Sequence, residues 1–184
     1  MASIVTITGS PSQPSRTAAL VRHVAETLRA RGFDLESISV RDLPAHALVT
    51  GQPGDPGIAE AVRHVERADA VVVATPIYKA SYSGALKAFL DLLPQFALAG
   101  KVVLPLATGG TLAHVLALDY ALRPVLVSLG AQHIVNGLFI LDKTLTVSDG
   151  AVALDADIAQ RLAAIVDDFV ASIERRTAAP PPRA

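Results

Sequence analysis

Short apolar runs alternate with longer amphipathic segments along almost the whole chain. The runs are typical of strands and the segments of helices, in the order 3–9 then 16–30, 34–40 then 58–67, 70–74 then 84–93, 101–107 then 113–129, and 133–141 then 155–175. The run Val71, Val72, Val73 has no polar alternation, which is typical of a central strand covered on both sides. This alternation predicts an α/β fold with a parallel sheet and helices on both faces.

Five strand–helix units in a chain of 184 residues favour the smaller doubly wound sheet, with five parallel strands in the order 2-1-3-4-5. Ligands of such sheets bind outside the carboxyl ends of the strands near the point where the strand order reverses. We therefore expect the functional site in the loops that follow strands 1, 3 and 4, at residues 9–17, 75–84 and 108–112.

Three further segments depart from the regular pattern. Residues 44–57 contain three prolines and three glycines, which favours a mobile surface loop or lid. Residues 147–152 are typical of a small hairpin around Asp149-Gly150. The proline-rich residues 177–184 predict a disordered tail, so that residues 1–176 form a single domain.

The composition excludes several classes of protein. A net charge of −1 gives no electrostatic footprint for nucleic acid or an anionic membrane. Without cysteine there are no disulfides, thiol nucleophiles or Cys–zinc sites, and no metal site is predicted. The longest charge-free stretches are interrupted by proline, glycine and histidine. Residues 1–10 have neither the basic region nor the long apolar region of a secretory signal, so none is expected. We therefore expect a cytoplasmic protein without a transmembrane helix.

The loop at residues 9–17 joins a buried strand to the start of a helix. It supplies four hydroxyl groups, backbone amides and the guanidinium of Arg16. Because helix N-termini have unpaired N–H groups and favour negative charge, these groups suit a phosphate. The alternative is that Ser15 or Thr17 only caps the helix. The loop has neither the three glycines of a dinucleotide fingerprint nor the Gly-Lys-Ser/Thr of a P-loop.

The other two loops offer groups that suit a planar ring. Residues 75–84 carry Tyr78 and Tyr82 in a chain with only three tyrosines. Gly109 and Gly110 allow the backbone to approach a ligand closely. Each feature also has a purely structural explanation, since Tyr82 can pack over the next helix and paired glycines can make a tight turn. Together the three loops predict a flavin mononucleotide (FMN) site.

The segment 112–129 has only two charged residues, Asp119 and Arg123, which are spaced to pair on one helical face. Apolar side chains cover almost every other direction around this helix, which favours its burial at a subunit interface. Pro124 removes the hydrogen bond to the carbonyl of Tyr120, so we expect a kink or a π-bulge at residues 119–120. Tyr120 thereby becomes a candidate for the wall of the site, although a kinked core helix without a functional role remains the alternative.

Three strings of the sequence resemble the NADPH-dependent FMN reductases of alkanesulfonate two-component systems. They are Gly9-Ser10-Pro11 with Pro14-Ser15-Arg16, Ala74-Thr75-Pro76-Ile77-Tyr78-Lys79-Ala80-Ser81-Tyr82-Ser83-Gly84-Ala85-Leu86-Lys87, and Gly100-Lys101-Val102-Val103-Leu104-Pro105-Leu106-Ala107-Thr108-Gly109-Gly110-Thr111. The resemblance runs from about residue 4 to residue 137 and becomes weak beyond residue 138. One departure is Ser12, which stands where the family commonly has an arginine, so that another basic residue could take its place.

The resemblance implies a flavodoxin-like fold in which FMN, as substrate or loosely bound cofactor, is reduced by NADPH or NADH. The reduced flavin would pass to a partner monooxygenase that cleaves sulfonates. The flavin-binding residues implied by position are Ser10, Ser15, Arg16, Thr17, Pro76, Ile77, Tyr78, Lys79, Thr108, Gly109 and Gly110. Tyr120 matches a tyrosine in a π-helix at a tetramer interface, and no acid–base residue is required for hydride transfer.

Two alternatives share this fold. The protein could keep its FMN tightly bound and reduce quinones or azo dyes, or it could be a flavodoxin-type electron carrier. A carrier is disfavoured by the charge of −1, since such proteins are usually strongly acidic. A phospho-accepting receiver module and a serine hydrolase are excluded because their aspartate cluster and Gly-x-Ser-x-Gly elbow are missing.

Overall fold

A twisted sheet with helices on both faces forms the core of the chain, in a computed structural model that describes residues 2–148 and 151–178. The strands are β1 (Ser3–Thr8), β2 (Asp34–Ser39), β3 (Ala70–Tyr78), β4 (Ser81–Tyr82), β5 (Val102–Gly109), β6 (His133–Ile134), β7 (Leu138–Leu141), β8 (Leu145–Ser148) and β9 (Ala151–Leu154). The helices are α1 (Arg16–Ala30), α2 (Ala45–Thr50), α3 (Pro56–Arg67), α4 (Gly84–Leu90), α5 (Arg123–Ser128) and α6 (Ala156–Ala178).

The main strands pair in the order β2-β1-β3-β5, with β6 and β7 sharing the last position beside β5. All these pairs are parallel, and within the described part of this sheet the short β4 adds an antiparallel pair with β3. The predicted order 2-1-3-4-5 is therefore confirmed. Strands β3 and β5 occupy the centre of the sheet and are buried along almost their whole length.

The fifth strand is broken in two, whereas the sequence predicts one run over 133–141. The break lies opposite Pro105 of β5, which has no N–H to donate to a neighbouring strand. Gly137 lies at the break, where an added Cβ would come within 2.9 Å of the Pro105 carbonyl oxygen. The chain therefore bulges past Pro105 before it pairs again as β7.

Two hydrophobic cores lie on opposite faces of the sheet. On one face α1 and α6 pack through Leu20, Val24, Leu162 and Phe169, all of which are buried. On the other face the larger core is formed mainly by α3, α4 and α5, with Phe89 fully buried at its centre. This burial on both faces explains the lack of polar alternation in β3.

The segment 44–57 is more regular than predicted. Instead of a mobile loop, it contains α2 and the first turn of α3. Ala47 is buried on the inner side of α2, and Gly51 ends that helix with a left-handed φ of 69°. Asp55 caps α3 and Pro56 occupies its first turn, which is the usual place for proline in a helix.

The end of the described chain agrees with part of the prediction. Strands β8 and β9 form the expected antiparallel hairpin, with Val147 opposite Val152. Its predicted turn at residues 149–150 lies outside the described residues. Helix α6 continues through Ala178, so residues 177 and 178 of the predicted disordered tail are helical. Residues 179–184 of that tail lie outside the described residues. None of the helices in the described ranges is long and apolar enough to cross a membrane.

Candidate functional site

The carboxyl ends of β1, β3 and β5 lie side by side and bring three loops together. Thr8 pairs with Ala74, and Pro76 pairs with Thr108. Beyond β1, the backbone N–H of Gly9 donates to the Ala74 carbonyl oxygen at 2.8 Å. The predicted meeting of the three loops at one edge of the sheet is confirmed.

These loops line a cavity of about 180 Å³ at that edge. Its lining includes all the residues assigned to flavin binding in the sequence except Lys79, namely Ser10, Ser15, Arg16, Thr17, Pro76, Ile77, Tyr78, Thr108, Gly109 and Gly110. Ser12, Pro14 and Asp142 complete the wall. The structure thus gathers these side chains in one place, while their role in holding a flavin stays a prediction.

The start of α1 supplies the donors on one side of the cavity. Ser15 caps the helix by accepting a hydrogen bond from the Ala18 N–H at 3.1 Å, which confirms the capping role that the sequence left open. The preceding N–H groups have no acceptor within the helix. The buried hydroxyl of Ser10 accepts from the Ser12 N–H at 3.4 Å, and Arg16 is exposed at the entrance. This donor set suits an anion.

Buried hydroxyl groups tie the three loops to one another. Thr17 of α1 and Thr108 of β5 share a hydrogen bond of 2.8 Å between their Oγ1 atoms. Ser83, the cap of α4, donates its hydroxyl to the Gly9 carbonyl oxygen and accepts from the Leu86 N–H. No described side chain has a buried polar atom without a partner. These hydrogen bonds are already formed without a ligand, so the cavity wall is preorganised for binding.

Close packing also fixes the floor of the cavity at Gly109. A Cβ added there would lie 2.8 Å from Cζ of Phe139, a buried residue of β7. The approach of β7 thus gives this glycine a packing role that the sequence did not specify, and the predicted close approach of its backbone to a ligand stays a prediction.

The second loop is largely strand, contrary to the prediction that residues 75–84 form a loop throughout. Strand β3 continues to Tyr78 and turns back into β4 through Lys79 and Ala80. Both turn residues have positive φ, 49° for Lys79 and 62° for Ala80. Two-residue hairpin turns need this conformation, which costs a residue with a Cβ about 1–2 kcal/mol. The turn therefore holds local backbone strain beside the cavity.

We predict that Ala80→Gly stabilises the protein by about 0.5–1 kcal/mol, because glycine reaches positive φ without the steric cost but loses more entropy on folding. The free energy of unfolding in urea, measured by circular dichroism, tests this. Gly84→Ala is the control, in which the same two residue types are exchanged at a position without positive φ. The added Cβ at this exposed helix start meets no atom within 4 Å, so glycine has no conformational advantage there. A destabilised Ala80→Gly variant would contradict the strain argument.

The two tyrosines of this loop have different surroundings. Tyr82 lies opposite Ile77 in the β3–β4 pair and packs against the larger core, which confirms its structural role. Burial raises the pKa of its hydroxyl, an effect that Lys87 opposes and Asp91 reinforces, so Tyr82 stays neutral at physiological pH. Tyr78 is 46% exposed, and its hydroxyl lies 3.5 Å from Oγ of Ser12. Its ring is thus available at the cavity.

Two residues near the cavity were missed in the sequence. Asp142 follows β7 and Arg41 follows β2, so both come after the carboxyl ends of parallel strands. Arg41 lies in the wall of a larger neighbouring cleft of about 590 Å³, which shares Pro14, Ser15, Arg16 and Asp142 with the cavity. Inspection of all five strand ends, rather than three, would have found them. Residues 2–148 and 151–178 contain no group of three His, Cys, Asp or Glu side chains placed to hold a metal ion.

The irregular helix is present where Pro124 predicts it. Residues Leu118–Leu122 form a π-helix that runs into α5, and Asp119 pairs with Arg123 at 3.3 Å. Both predictions are confirmed. Tyr120 does not line the cavity and is 78% exposed, so its role as a wall of the site stays a prediction.

Fold and site together define a flavodoxin-like α/β protein in which three segments meet at the carboxyl ends of the strands. They are residues 9–17, named the anion loop for its donor set, the end of β3 at Tyr78, and the Gly109-Gly110 turn. Residues 2–146 match the family model of the NADPH-dependent FMN reductases, and the chain belongs to this family. It is 42% identical to an FMN reductase (NADPH) of Pseudomonas putida over 94% of this chain and 89% of the relative. It is 40% identical to an FMN reductase (NADPH) of Escherichia coli over 94% of this chain and 91% of the relative.

A solved structure agrees with this assignment. The apo form of NADH:FMN oxidoreductase (EMOB) superposes with a TM-score of 0.86 at 48% identity, covering 94% of this chain and 90% of that one. A flavodoxin of Streptococcus pneumoniae superposes with a TM-score of 0.63 at 17% identity, over 94% of this chain and 99% of that one, which shows the shared fold alone.

Proposed function

We propose that the protein reduces FMN with NADPH or NADH and releases the reduced flavin to a flavin-dependent monooxygenase. The observation that carries this proposal is the convergence of the anion loop, the Tyr78 strand end and the Gly109-Gly110 turn on one cavity. Membership of the FMN reductase family supports the reaction and both substrates.

The donor chemistry of the cavity fits FMN. A phosphate group requires hydrogen-bond donors and positive charge. The donors here are the hydroxyls of Ser10, Ser15 and Thr17 with the first N–H groups of α1, and the cation is Arg16. The other side offers Pro76, Ile77 and the exposed ring of Tyr78 as a flat apolar surface. At the third loop, Thr108, Gly109 and Gly110 bring a hydroxyl and backbone to the polar edge of the ring.

Bound flavin supplies the redox chemistry, accepting a hydride from the nicotinamide. The chain itself needs to orient the two rings and to exclude water, and no acid–base side chain is required. Gly109 and Gly110 are suited to stabilise negative charge at the ring edge through their backbone amides, because glycine leaves these groups accessible. Lys79 stands in the exposed turn beside this surface, where it remains a candidate contact.

The partner assignment rests on two observations. The strings at residues 9–16, 74–87 and 100–111 resemble reductases of alkanesulfonate systems, which supports a sulfonate-cleaving monooxygenase as the acceptor of reduced flavin. The chain is also 34% identical to NADH-dependent FMN reductase SfnF of Pseudomonas putida over 74% of this chain and 75% of the relative. A cytoplasmic location, where nicotinamide nucleotides are available, belongs to the same proposal.

The test is oxidation of NADPH or NADH, followed by the loss of the absorbance of the reduced nicotinamide, with free FMN added to the purified protein. We expect turnover that depends on added FMN, and a protein that loses its flavin on gel filtration. Absence of oxidation with both nucleotides, in air and under anaerobic conditions, would overturn the reductase assignment. A yellow protein that keeps FMN through gel filtration and reduces a quinone or azo dye would instead favour the second candidate, which a 31% identity to an NADPH azoreductase of a Bacillus species over 58% of this chain supports.

We also propose that the protein is a homo-oligomer, a dimer or tetramer, built through residues 112–129. Leu112, Leu116, Tyr120 and Val127 are each more than half exposed on this segment in the single chain. Apolar side chains grouped in this way are typical of an interface. Asp119 and Arg123, which pair with each other, are the charged residues of the segment.

We predict that Leu116→Asp lowers the oligomer mass, because a carboxylate buried against apolar side chains carries a large desolvation cost. Size-exclusion chromatography with light scattering measures the mass. Val49→Asp is the matched control, since Val49 is 84% exposed on α2, outside the segment 112–129. A wild-type monomer, or an unchanged mass in Leu116→Asp, would contradict this interface.

A further inference from the structure

Arg41 reaches the anion loop from a different part of the chain. It lies in the helical turn Val40–Asp42 that follows β2, and its Nη1 donates to the carbonyl oxygen of Ser12 at 2.7 Å. The arginine side chain is 26% exposed. This is a tertiary contact across 29 positions of sequence, and it fixes the middle of a loop that has no secondary structure of its own.

The remaining partner of Arg41 does not explain its position. Its Nε lies 3.4 Å from Oδ1 of Asp42, whose side chain is 67% exposed, and an exposed pair of this kind contributes little to stability. Arg41 instead lines the cleft that adjoins the anion cavity, together with Arg16, Arg22 and Lys143. Within residues 2–148 and 151–178, no carboxylate forms an ion pair with Arg16, Arg22 or Lys143. The carboxylate in this wall is that of Asp142.

The anion loop carries less positive charge than a phosphate dianion carries negative charge. Arg16 is its sole cation, and Ser12 presents a neutral side chain and a backbone carbonyl. A carbonyl oxygen that faces an anion repels it, and the positive charge of a guanidinium bonded to that oxygen reduces the repulsion. Arg41 lines the cleft beside the cavity and bonds to Ser12 of the cavity wall, so its positive charge lies next to the loop without forming part of that wall.

We propose that Arg41 is a specificity-determining residue of the flavin site, which positions the Ser12 carbonyl and supplies a second positive charge at the phosphate end. Arg41 thereby favours phosphorylated flavin over riboflavin, which has the same ring without the phosphate. This inference rests on the proposed function and concerns the phosphate end of the same site.

The test compares FMN and riboflavin binding to the flavin-free protein, followed by quenching of flavin fluorescence. In Arg41→Met we expect the Kd for FMN to rise about fivefold, because the loop loses both the bond that holds the Ser12 carbonyl and a positive charge near the phosphate, and the Kd for riboflavin to change less than about twofold. Arg41→Lys keeps the charge and should restore part of the FMN affinity, whereas Arg41→Gln should not. FMN binding to Arg41→Met should also depend less on ionic strength.

Arg22→Met is the matched control, because it removes the same charge from the same cleft without a bond to the anion loop. A loss of FMN affinity equal to that of Arg41→Met would show a general effect of charge and overturn the specific role. Equal losses for FMN and riboflavin would also overturn it, as would unchanged FMN binding. Riboflavin binding and the thermal unfolding midpoint report whether each variant is folded. Failure of the wild type to bind FMN at all would instead overturn the proposed function.

Discussion

Gly9→Ala is expected to lower the free energy of unfolding by about 2–3 kcal/mol, the upper part of the range for an overpacked core. A Cβ at position 9 would lie 2.6 Å from Cβ of Leu86, an atom fixed to the backbone of α4. Leu86 is fully buried, so neither group can turn away into solvent. The movement would also stretch the bond from the Ser83 hydroxyl to the Gly9 carbonyl. Urea unfolding measures the loss.

This clash should affect the flavin site as well as stability, because Gly9 is the first residue of the anion loop. We expect FMN affinity to fall in Gly9→Ala even under conditions where the variant is folded. Gly84→Ala is the control: the same substitution, at the first residue of the same α4, meets nothing within 4 Å and should change stability by less than about 0.5 kcal/mol. Equal stabilities for the two variants would contradict the close approach of β1 and α4.

The sheet was predictable because its signal is local and repeated. Val71, Val72 and Val73 lie in β3 and are completely buried, as their unbroken apolar run indicates. The order of the strands follows from general rules of handedness and connection, which need only the number and spacing of the elements. Those rules also placed the anion loop and the Gly109-Gly110 turn at one edge before any contact was known.

The features that the sequence did not predict depend on partners far along the chain. The interruption of the fifth strand results from Pro105, a residue of the neighbouring strand β5. The helix α2 forms in a segment rich in proline and glycine because Ala47 is buried in the fold and Gly51 can end the helix in the left-handed region. Arg41 lies 29 positions from the carbonyl that it binds, and no local pattern connects the two.

The π-helix shows the opposite case, in which one residue decides a local irregularity. Proline cannot donate to the carbonyl four positions before it, so Pro124 disturbs the helix at Tyr120 wherever the segment packs. The sequence therefore predicts the irregularity but not its surroundings. Tyr120 is exposed in the single chain, and its contacts depend on the proposed interface.

Breaking the Thr17–Thr108 bond from one side should cost more than removing both hydroxyls. Thr17 and Thr108 are buried, and their Oγ1 atoms lie 2.8 Å apart. Thr17→Val or Thr108→Val alone leaves the other hydroxyl without its partner, for an expected loss of about 1–3 kcal/mol. The double variant replaces both by apolar groups of the same shape, so its loss should be smaller than either single loss. Denaturant unfolding of the four proteins gives the coupling energy directly.

The same four proteins separate the structural from the binding role of these hydroxyls. If Thr17 also holds the flavin phosphate, the double variant regains stability but not FMN affinity, because the donor to the ligand is still missing. Thr27→Val is the control on the same helix: the Thr27 hydroxyl donates to the His23 carbonyl within α1, away from the site, and its loss should leave FMN binding unchanged. Additive stability losses would show that the two hydroxyls act independently. Full FMN affinity in the double variant would assign Thr17 to the framework of the site alone.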